Sequence, residues 1–195
     1  MITLKSKREI ELLKEAGHIV YLTHQYLRPH IKAGIKTKEL DRLAEEFIRS
    51  KGATPSFKGY EGFPSTLCIS INDEVVHGFP SDRVLQDGDI ISIDIGACYK
   101  GYHGDSAWTY TVGKVTDDAK YLLEHTEKAL YEGIKQAKVG NRIGDISYAV
   151  EKYATEHNLG VVKELVGHGV GTSVHEAPDV PNYGTKGTGP KIRDG

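Results

Sequence analysis

Asp94 and Asp105, with ten residues between them, each stand in glycine-flanked strand-like sequence: Ile90-Ile91-Ser92-Ile93-Asp94-Ile95-Gly96 and Gly101-Tyr102-His103-Gly104-Asp105-Ser106-Ala107-Trp108-Thr109. Aspartate is depleted in strands and costly within apolar ones unless something pairs with it. Two carboxylates on neighbouring strands repel, and a divalent cation between them removes that cost. Three histidines stand in comparable settings. His168 lies in Gly167-His168-Gly169-Val170-Gly171, where flanking glycines leave the imidazole accessible, and His77 and His175 each open a His-x-x-Pro segment. Carboxylate with imidazole suits Mn, Fe, Co or Zn better than Ca or Mg. Two such metals sharing carboxylates fit hydrolysis, because they activate water and clamp a tetrahedral intermediate. Taken singly, a strand aspartate or a loop histidine is ordinarily structural; the weight lies in the combination. His18, His24, His30, His125 and His157 read as surface residues with no role, His103 is open to either reading, and Tyr60 and Cys68 read as packing.

The elements that must position these groups follow from periodicity. Ser6-Lys7-Arg8-Glu9 reads as a capping box opening a helix to about Leu27, before Pro29, with Ile10, Leu13, Ala16, Ile19 and Val20 at helical spacing. Thr37 is expected to cap a second helix with Leu40, Leu43, Ala44, Phe47 and Ile48 on one face. Asn72-Asp73 suggests a hairpin between strands Thr66 to Ile71 and Glu74 to Gly78. Asp87-Gly88-Asp89 opens the Asp94 strand, and Tyr99-Lys100-Gly101 turns it into the Asp105 strand. Helices are expected from about Thr116 to Ala137 and Ile143 to Asn158, then a Gly/Pro-rich tail of strands and loops.

The chain has 195 residues, 38% of them hydrophobic and 27% charged, as in ordinary globular domains. Net charge is −2 with no basic block, which argues against a nucleic-acid or anionic-membrane partner. No apolar run approaches the roughly 20 residues that span a bilayer, and the first residues lack a signal-peptide core. Cys68 and Cys98 are expected to be reduced thiols in a cytoplasmic protein.

The two halves echo one another. Gly34, Leu40 and Phe47 precede Gly140, Ile146 and Tyr153 by 106 residues; Val76-His77-Gly78-Phe79-Pro80 precedes Val174-His175-Glu176-Ala177-Pro178 by 98; and Asp87-Gly88 precedes Asp194-Gly195 by 107. A duplicated α/β unit with pseudo-twofold symmetry is expected, with pseudo-repeats at about 30–112 and 136–195 of one domain. After Gly88 the Asp94 and Asp105 strands follow, whereas nothing follows Gly195. The expectation is therefore a chain truncated at its C-terminus, with its last strands missing.

The set I-D-I-G-x8-D-S-A-W-T, Gly167-His168-Gly169-Val170-Gly171 and Val174-His175-Glu176-Ala177-Pro178 resembles type I methionine aminopeptidases in their short bacterial form, along the whole chain. The resemblance implies the α/β (α+β) pita-bread, or creatinase/aminopeptidase-like, fold as one catalytic domain over residues 1–195. It implies two divalent metals (Co, Mn, Fe or Zn) and removal of the initiator methionine from nascent chains with a small second residue. Asp94 matches the bidentate aspartate of one metal, Asp105 the bridging aspartate and His168 the imidazole ligand. His77 matches the histidine at the substrate amine side. His175 matches the one that hydrogen-bonds the scissile carbonyl. Tyr60, Phe63 and Cys68 match the methionine pocket, and Val174 stands where an aromatic is common.

Two further glutamate ligands of the family, one also its general base, fall after the position matching Gly195, as does a pocket tryptophan. The resemblance thus implies three of five ligands here and weakened or absent activity for the chain as written. It further implies a cytoplasmic monomer meeting nascent N-termini at the ribosome, with no direct nucleic-acid or membrane binding. Two alternatives stay open: a proline-specific pita-bread hydrolase (X-Pro aminopeptidase or prolidase), and a non-catalytic pita-bread binding protein.

Overall fold

The computed structural model describes residues 2–195 and divides them into two compact units. One comprises Lys7–Thr116 and Val170–Val174; the other comprises the residues up to Ser6, Asp117–Gly169 and His175–Gly195.

The first unit runs α1 (Lys7–Leu27), α2 (Thr37–Ser50), β1 (Thr54–Pro55), β2 (Leu67–Ile71), β3 (Ile90–Tyr99) and β4 (Tyr102–Thr111). Pro29, which has no N–H to continue α1, lies instead in a single 3-10 turn over Arg28–His30. Strand β3 is the centre of the sheet, antiparallel to all three partners: β4 pairs along its whole length, and β1 and β2 pair with successive parts of it. The β3–β4 connection places Lys100 at φ 49° and Gly101 at φ 83°. Two left-handed residues are what a type I′ hairpin needs to match strand twist.

The alternation along β3 decides which groups are buried. Ile91, Ile93, Ile95 and Ala97 are fully buried in a core with Ile19, Val20 and Leu27 of α1 and Leu40, Ala44 and Ile48 of α2. Successive side chains in a strand take opposite faces, so Ser92, Asp94, Gly96 and Cys98 line the face turned away from that core. The apolar helical stripe and the isoleucine alternation are one constraint seen from two sides.

Three local expectations are corrected. Glu74 to Gly78 is not a strand: β3 takes one edge of β2, and on the other the Gly78 carbonyl accepts the Ile69 N–H at 2.9 Å while the Glu74 carboxylate accepts the Ile71 N–H at 2.8 Å. A Cβ on Gly78 would stand 2.1 Å from the Ile69 oxygen. Asn72 does turn the chain, at φ 57°, but its side chain bonds Asp89 (2.8 Å) and the Ile90 N–H (3.0 Å) in place of a hairpin register. Thr37 is the first residue of α2, not its cap; its hydroxyl donates to the Ser81 carbonyl (3.1 Å) and accepts the Ser81 N–H (2.8 Å). The third helix ends at Ile134 rather than Ala137, because bonds from Gln136 to Gly133 and Ala137 to Ile134 tighten the chain beyond it.

Asp41 on α2 fixes where β2 begins. One of its oxygens accepts the N–H groups of both Thr66 (2.9 Å) and Leu67 (2.8 Å). Burial raises the Asp41 carboxyl above its ordinary range, and these two N–H groups oppose the rise. Asp41→Ala leaves both donors unmatched. It is expected to cost about 2–4 kcal/mol, read as a lowered denaturation midpoint; a midpoint equal to that of the parent chain would contradict this anchoring role.

The second unit holds α3 (Asp117–Ile134), α4 (Ile143–Glu156), β5 (Gly167–Gly169) and β6 (Glu176–Val180), with β5 and β6 antiparallel. Gly133 lets α3 and α4 approach, since a Cβ there would lie 2.8 Å from Val150. Asp145 reaches back to the Arg142 N–H (2.7 Å) and closes the start of α4. Backbone bonding found around α2 recurs around α4. Gly34 N–H to Leu85 O (2.9 Å) is matched by Gly140 to Ile192 (3.1 Å), Thr37 to Arg83 (3.0 Å) by Ile143 to Pro190 (3.0 Å), and Lys38 to Ser81 (3.0 Å) by Gly144 to Thr188 (3.0 Å). The two helices have 14 residues each, and Gly34 and Gly140 share a left-handed φ of 94° and 99°. The duplication therefore reaches individual hydrogen bonds within each unit.

Candidate functional site

Register alone brings Asp94 and Asp105 together. Asp94 faces Ala107 across the β3–β4 ladder and Gly96 faces Asp105, so the aspartates are diagonal neighbours on the face away from the core. Asp94 Oδ1 is buried and has no hydrogen-bond partner. Burial, then the Asp94 charge and a hydrogen bond with Asp94, push the Asp105 carboxyl well above the ordinary carboxylate range. Lost hydration, mutual repulsion and an orphaned oxygen are all unfavourable, and a divalent cation relieves all three.

Glycine shapes both sides of the pair. A Cβ on Gly96 would meet Phe57 Cε1 at 2.6 Å and Ser56 Cβ at 2.8 Å, so the Phe57 ring lies over the bare backbone beside Asp94. A Cβ on Gly104 would meet the backbone of Ala16 and Gly17 at 2.5–2.8 Å, so α1 presses on β4 one residue before Asp105.

His24, expected at the surface, is buried on α1. Its Nε2–H donates to the Ser106 carbonyl (3.1 Å) and its Nδ1 accepts the Tyr110 hydroxyl (2.9 Å). Burial lowers its pKa, which keeps the ring neutral for this pairing. It thus ties α1 to β4 immediately after Asp105. The signal was present: Val20, His24 and Leu27 follow the spacing of the apolar stripe. His103 resolves to a structural contact, its Nδ1 2.8 Å from the Ser56 hydroxyl.

Of the pocket residues, Cys68 lies directly across β2–β3 from Asp94 and is buried with Phe57 and Val174, and Phe63 packs against this cluster. Tyr60 lies in the adjoining 3-10 turn, 37% exposed, outside the buried cluster. Burial, followed by the charges of Asp94, Asp105 and Asp41, pushes the Cys68 thiol up to about 12. Its thiolate fraction at pH 8 is then roughly one in ten thousand. Iodoacetamide at pH 8 is expected to leave Cys68 unmodified in the folded chain by peptide mass mapping; rapid labelling there would contradict the apolar setting.

His77 is exposed, in the left-handed region at φ 58°. In the second unit His168, on β5, is half-buried, and its Nδ1–H donates to the Gly169 carbonyl at 3.0 Å, which puts the lone pair on Nε2. The exposed His175 has its ring centroid 4.1 Å from that of His168. Gly169 is required here, because a Cβ would stand 2.9–3.0 Å from the Glu176 and Ala177 carbonyls. Among the described residues no group of three or more His, Cys, Asp or Glu side chains able to hold a metal is present. Of the residues expected to form the site, the first unit brings together two carboxylates and the second two imidazoles.

Comparison with known proteins assigns the chain. The model of metallopeptidase family M24 matches residues 11–195. Methionine aminopeptidase 1 of Bacillus subtilis is 56% identical over the whole chain, which covers 79% of that protein. The crystal structure of Thermotoga maritima methionine aminopeptidase superposes with a TM-score of 0.97 at 40% identity, over 99% of this chain and 78% of that one. An Xaa-Pro dipeptidase from Bacillus anthracis shares the fold less fully, with a TM-score of 0.81 at 29% identity over 95% of this chain and 50% of its own. The fold is therefore the pita-bread fold, and the comparisons favour the methionine over the X-Pro reading; this chain belongs to metallopeptidase family M24, among the methionine aminopeptidases.

Proposed function

We propose that this chain carries out metal-dependent removal of N-terminal methionine from nascent polypeptides with a small second residue, using Asp94, Asp105 and His168 as metal ligands. The observation that carries the reading is the Asp94–Asp105 pair: one buried oxygen without a partner and a neighbouring carboxyl held above its ordinary range by burial and like charge. These residues fit a divalent cation. His168 complements them as a ring whose Nδ1 is fixed by a backbone carbonyl, leaving Nε2 as the donor nitrogen, an arrangement common in metal-ligating histidines. The donor set of two carboxylates and an imidazole would suit Co, Mn, Fe or Zn, with Asp94, Asp105 and His168 as the residues that would hold a pair of such ions. When bound, such ions supply Lewis acidity and lower the pKa of water.

The remaining roles belong to the chain's own side chains. Asp94 and Asp105 fix the charge at the sheet face. His175 donates a hydrogen bond to the scissile carbonyl oxygen as negative charge develops on it. His77 holds the amine side and supports the departing nitrogen. Phe63 and Cys68, with Phe57 and Val174, receive the methionine side chain; a thioether gains from aromatic contact, and the protonated Cys68 offers no competing charge. Tyr60 borders the pocket entrance. A monomer acting in the cytoplasm at the ribosome matches a substrate that exists as a fresh chain end.

The test is a substrate comparison with added Mn(II). Chelator-sensitive turnover, weak with three of the family's five ligands present, is expected to release methionine from Met-Ala-Ser at least about tenfold faster than Ala-Pro peptides are cleaved. A preference for X-Pro would move the chain to the proline-specific branch, and metal binding unchanged by Asp94→Ala and Asp105→Ala would support a non-catalytic role.

A further inference from the structure

A second histidine pair lies on α3 and the end of α4, made of residues to which no role is assigned above. His125 of α3 and His157, the residue closing α4, have ring centroids 4.2 Å apart at 34°. Tyr121 lies against His125 with ring centroids 4.2 Å apart and tilted by 39°, and Tyr153 stacks on His157 at 4.1 Å. Tyr153 also fixes both imidazoles. Its carbonyl accepts the His157 Nδ1–H at 2.8 Å, and its hydroxyl lies 3.0 Å from His125 Nδ1. The Tyr121 hydroxyl donates to the His157 carbonyl at 3.2 Å, tying the helices together.

The His157 bond settles one tautomer. A carbonyl only accepts, so Nδ1 carries the proton and the lone pair sits on Nε2. The Tyr153 hydroxyl can accept the His125 Nδ1–H in the same way, giving a second Nε2 donor. Rings whose Nδ1 atoms are held by outer partners and whose Nε2 atoms are donors are prepared for a metal. Burial, followed by the charge of His157, lowers the His125 pKa and keeps the neutral, ligating form available. The neighbouring acids are engaged elsewhere, Glu124 with Lys128 (2.5 Å) and Glu156 with Lys152 (2.6 Å), which leaves imidazole nitrogen as the donor type.

The duplicated architecture sharpens the point. At the positions 106 residues earlier, Phe47 and Lys51 make an ordinary cation–π contact, with the Lys51 ammonium 4.9 Å from the ring centroid. The second unit has Tyr153 and His157 in those places and adds His125. Packing alone is served by the first arrangement.

We infer that His125 and His157 form a bidentate site for an imidazole-preferring divalent transition metal (Ni, Cu or Zn) that clamps α3 to α4, separate from the Asp94 and Asp105 carboxylates. Water completes its coordination, and Tyr121 and Tyr153 hold the rings in place.

Ni(II) titration by calorimetry tests this on the whole chain. His125→Asn and His157→Asn are each expected to lose one Ni(II) equivalent, or to weaken it at least tenfold, whereas Asp94→Asn retains it. An isotherm unchanged by both histidine substitutions would overturn the inference. Should either variant unfold by circular dichroism, Cu(II) electron paramagnetic resonance on a His168→Gln chain decides. Because that substitution breaks the other imidazole pair, a persisting two-nitrogen signal supports the α3–α4 site, and its loss rejects it.

Discussion

Asp105→Asn is expected to make the metal-free chain more stable at neutral pH and to remove its stabilisation by metal. The two effects have opposite signs and one cause. In the folded chain the Asp105 carboxyl titrates above its unfolded value, because burial and the Asp94 charge disfavour ionisation. A carboxyl raised in this direction contributes stability that is fully present below the unfolded pKa and is lost as pH rises through the folded one. The metal-free parent chain should therefore weaken from about pH 5 towards pH 8, the range above ordinary carboxylate values. The asparagine amide carries no charge and can donate to Asp94, so the variant should melt a few degrees higher at pH 8 and with little pH slope over that range. With metal at a hundred times its dissociation constant, the parent gains about 2.7 kcal/mol, or about 5–10 °C for a chain of this size. The variant should gain almost nothing, its metal affinity falling more than about 100-fold, since even outer-shell changes cost up to that much. Thermal melts with and without Mn(II) check both halves. A variant less stable than the parent without metal, yet still raised by Mn(II), would contradict the pair's assigned role.

The second large effect comes from a residue with no functional group. Gly104→Ala is expected to cost about 3 kcal/mol, the upper end for overpacking, and to lower the melting temperature by about 6–12 °C. The new Cβ would stand 2.5 Å from Gly17 N, 2.6 Å from Ala16 C and 2.8 Å from Gly17 Cα. These are backbone atoms of a helix and cannot swing aside as a side-chain tip does. Strand β4 must move, and Asp105 is the next residue along it, so Mn(II) stabilisation should fall as well. Gly17→Ala probes the same approach from the helix side and should behave oppositely. Its own Cβ would meet nothing within 4 Å, and alanine is favoured over glycine in a helix by up to about 1 kcal/mol. Chemical denaturation of the two variants is the check. Equal effects would mean that α1 does not press on β4 at Gly104.

The site's carboxylates were legible because a strand has only two faces. Once Ile91, Ile93 and Ile95 claimed the core, Asp94 had to take the other side, and the Tyr99-Lys100-Gly101 turn then set the register that brings Asp105 diagonally across. The helices were equally readable from their apolar stripes, apart from the end of the third, which stops at Ile134. Features that depend on a distant partner were not. Glu74 to Gly78 has strand-like residues, but the β2 edge it would need is bound by the Asp41 and Glu74 carboxylates and the Gly78 carbonyl in place of a ladder. Thr37 has the residue type of a cap, yet its hydroxyl is bound to Ser81, 44 residues away. His24 looked like a surface histidine until Tyr110 and Ser106 supplied its two partners from β4. A polar residue on a buried stripe is legible only when its partner is, and both partners here lie more than 80 residues ahead in the chain.

Anomalous scattering from a Mn(II)-soaked crystal of the chain locates the metal itself. A manganese peak is expected within coordination distance of both Asp94 and Asp105, with His168 Nε2 among the ligands and the otherwise unpartnered Asp94 Oδ1 bound to metal. A crystal in which Asp94 and Asp105 share a proton with no manganese nearby, while metal collects elsewhere, would contradict this placement.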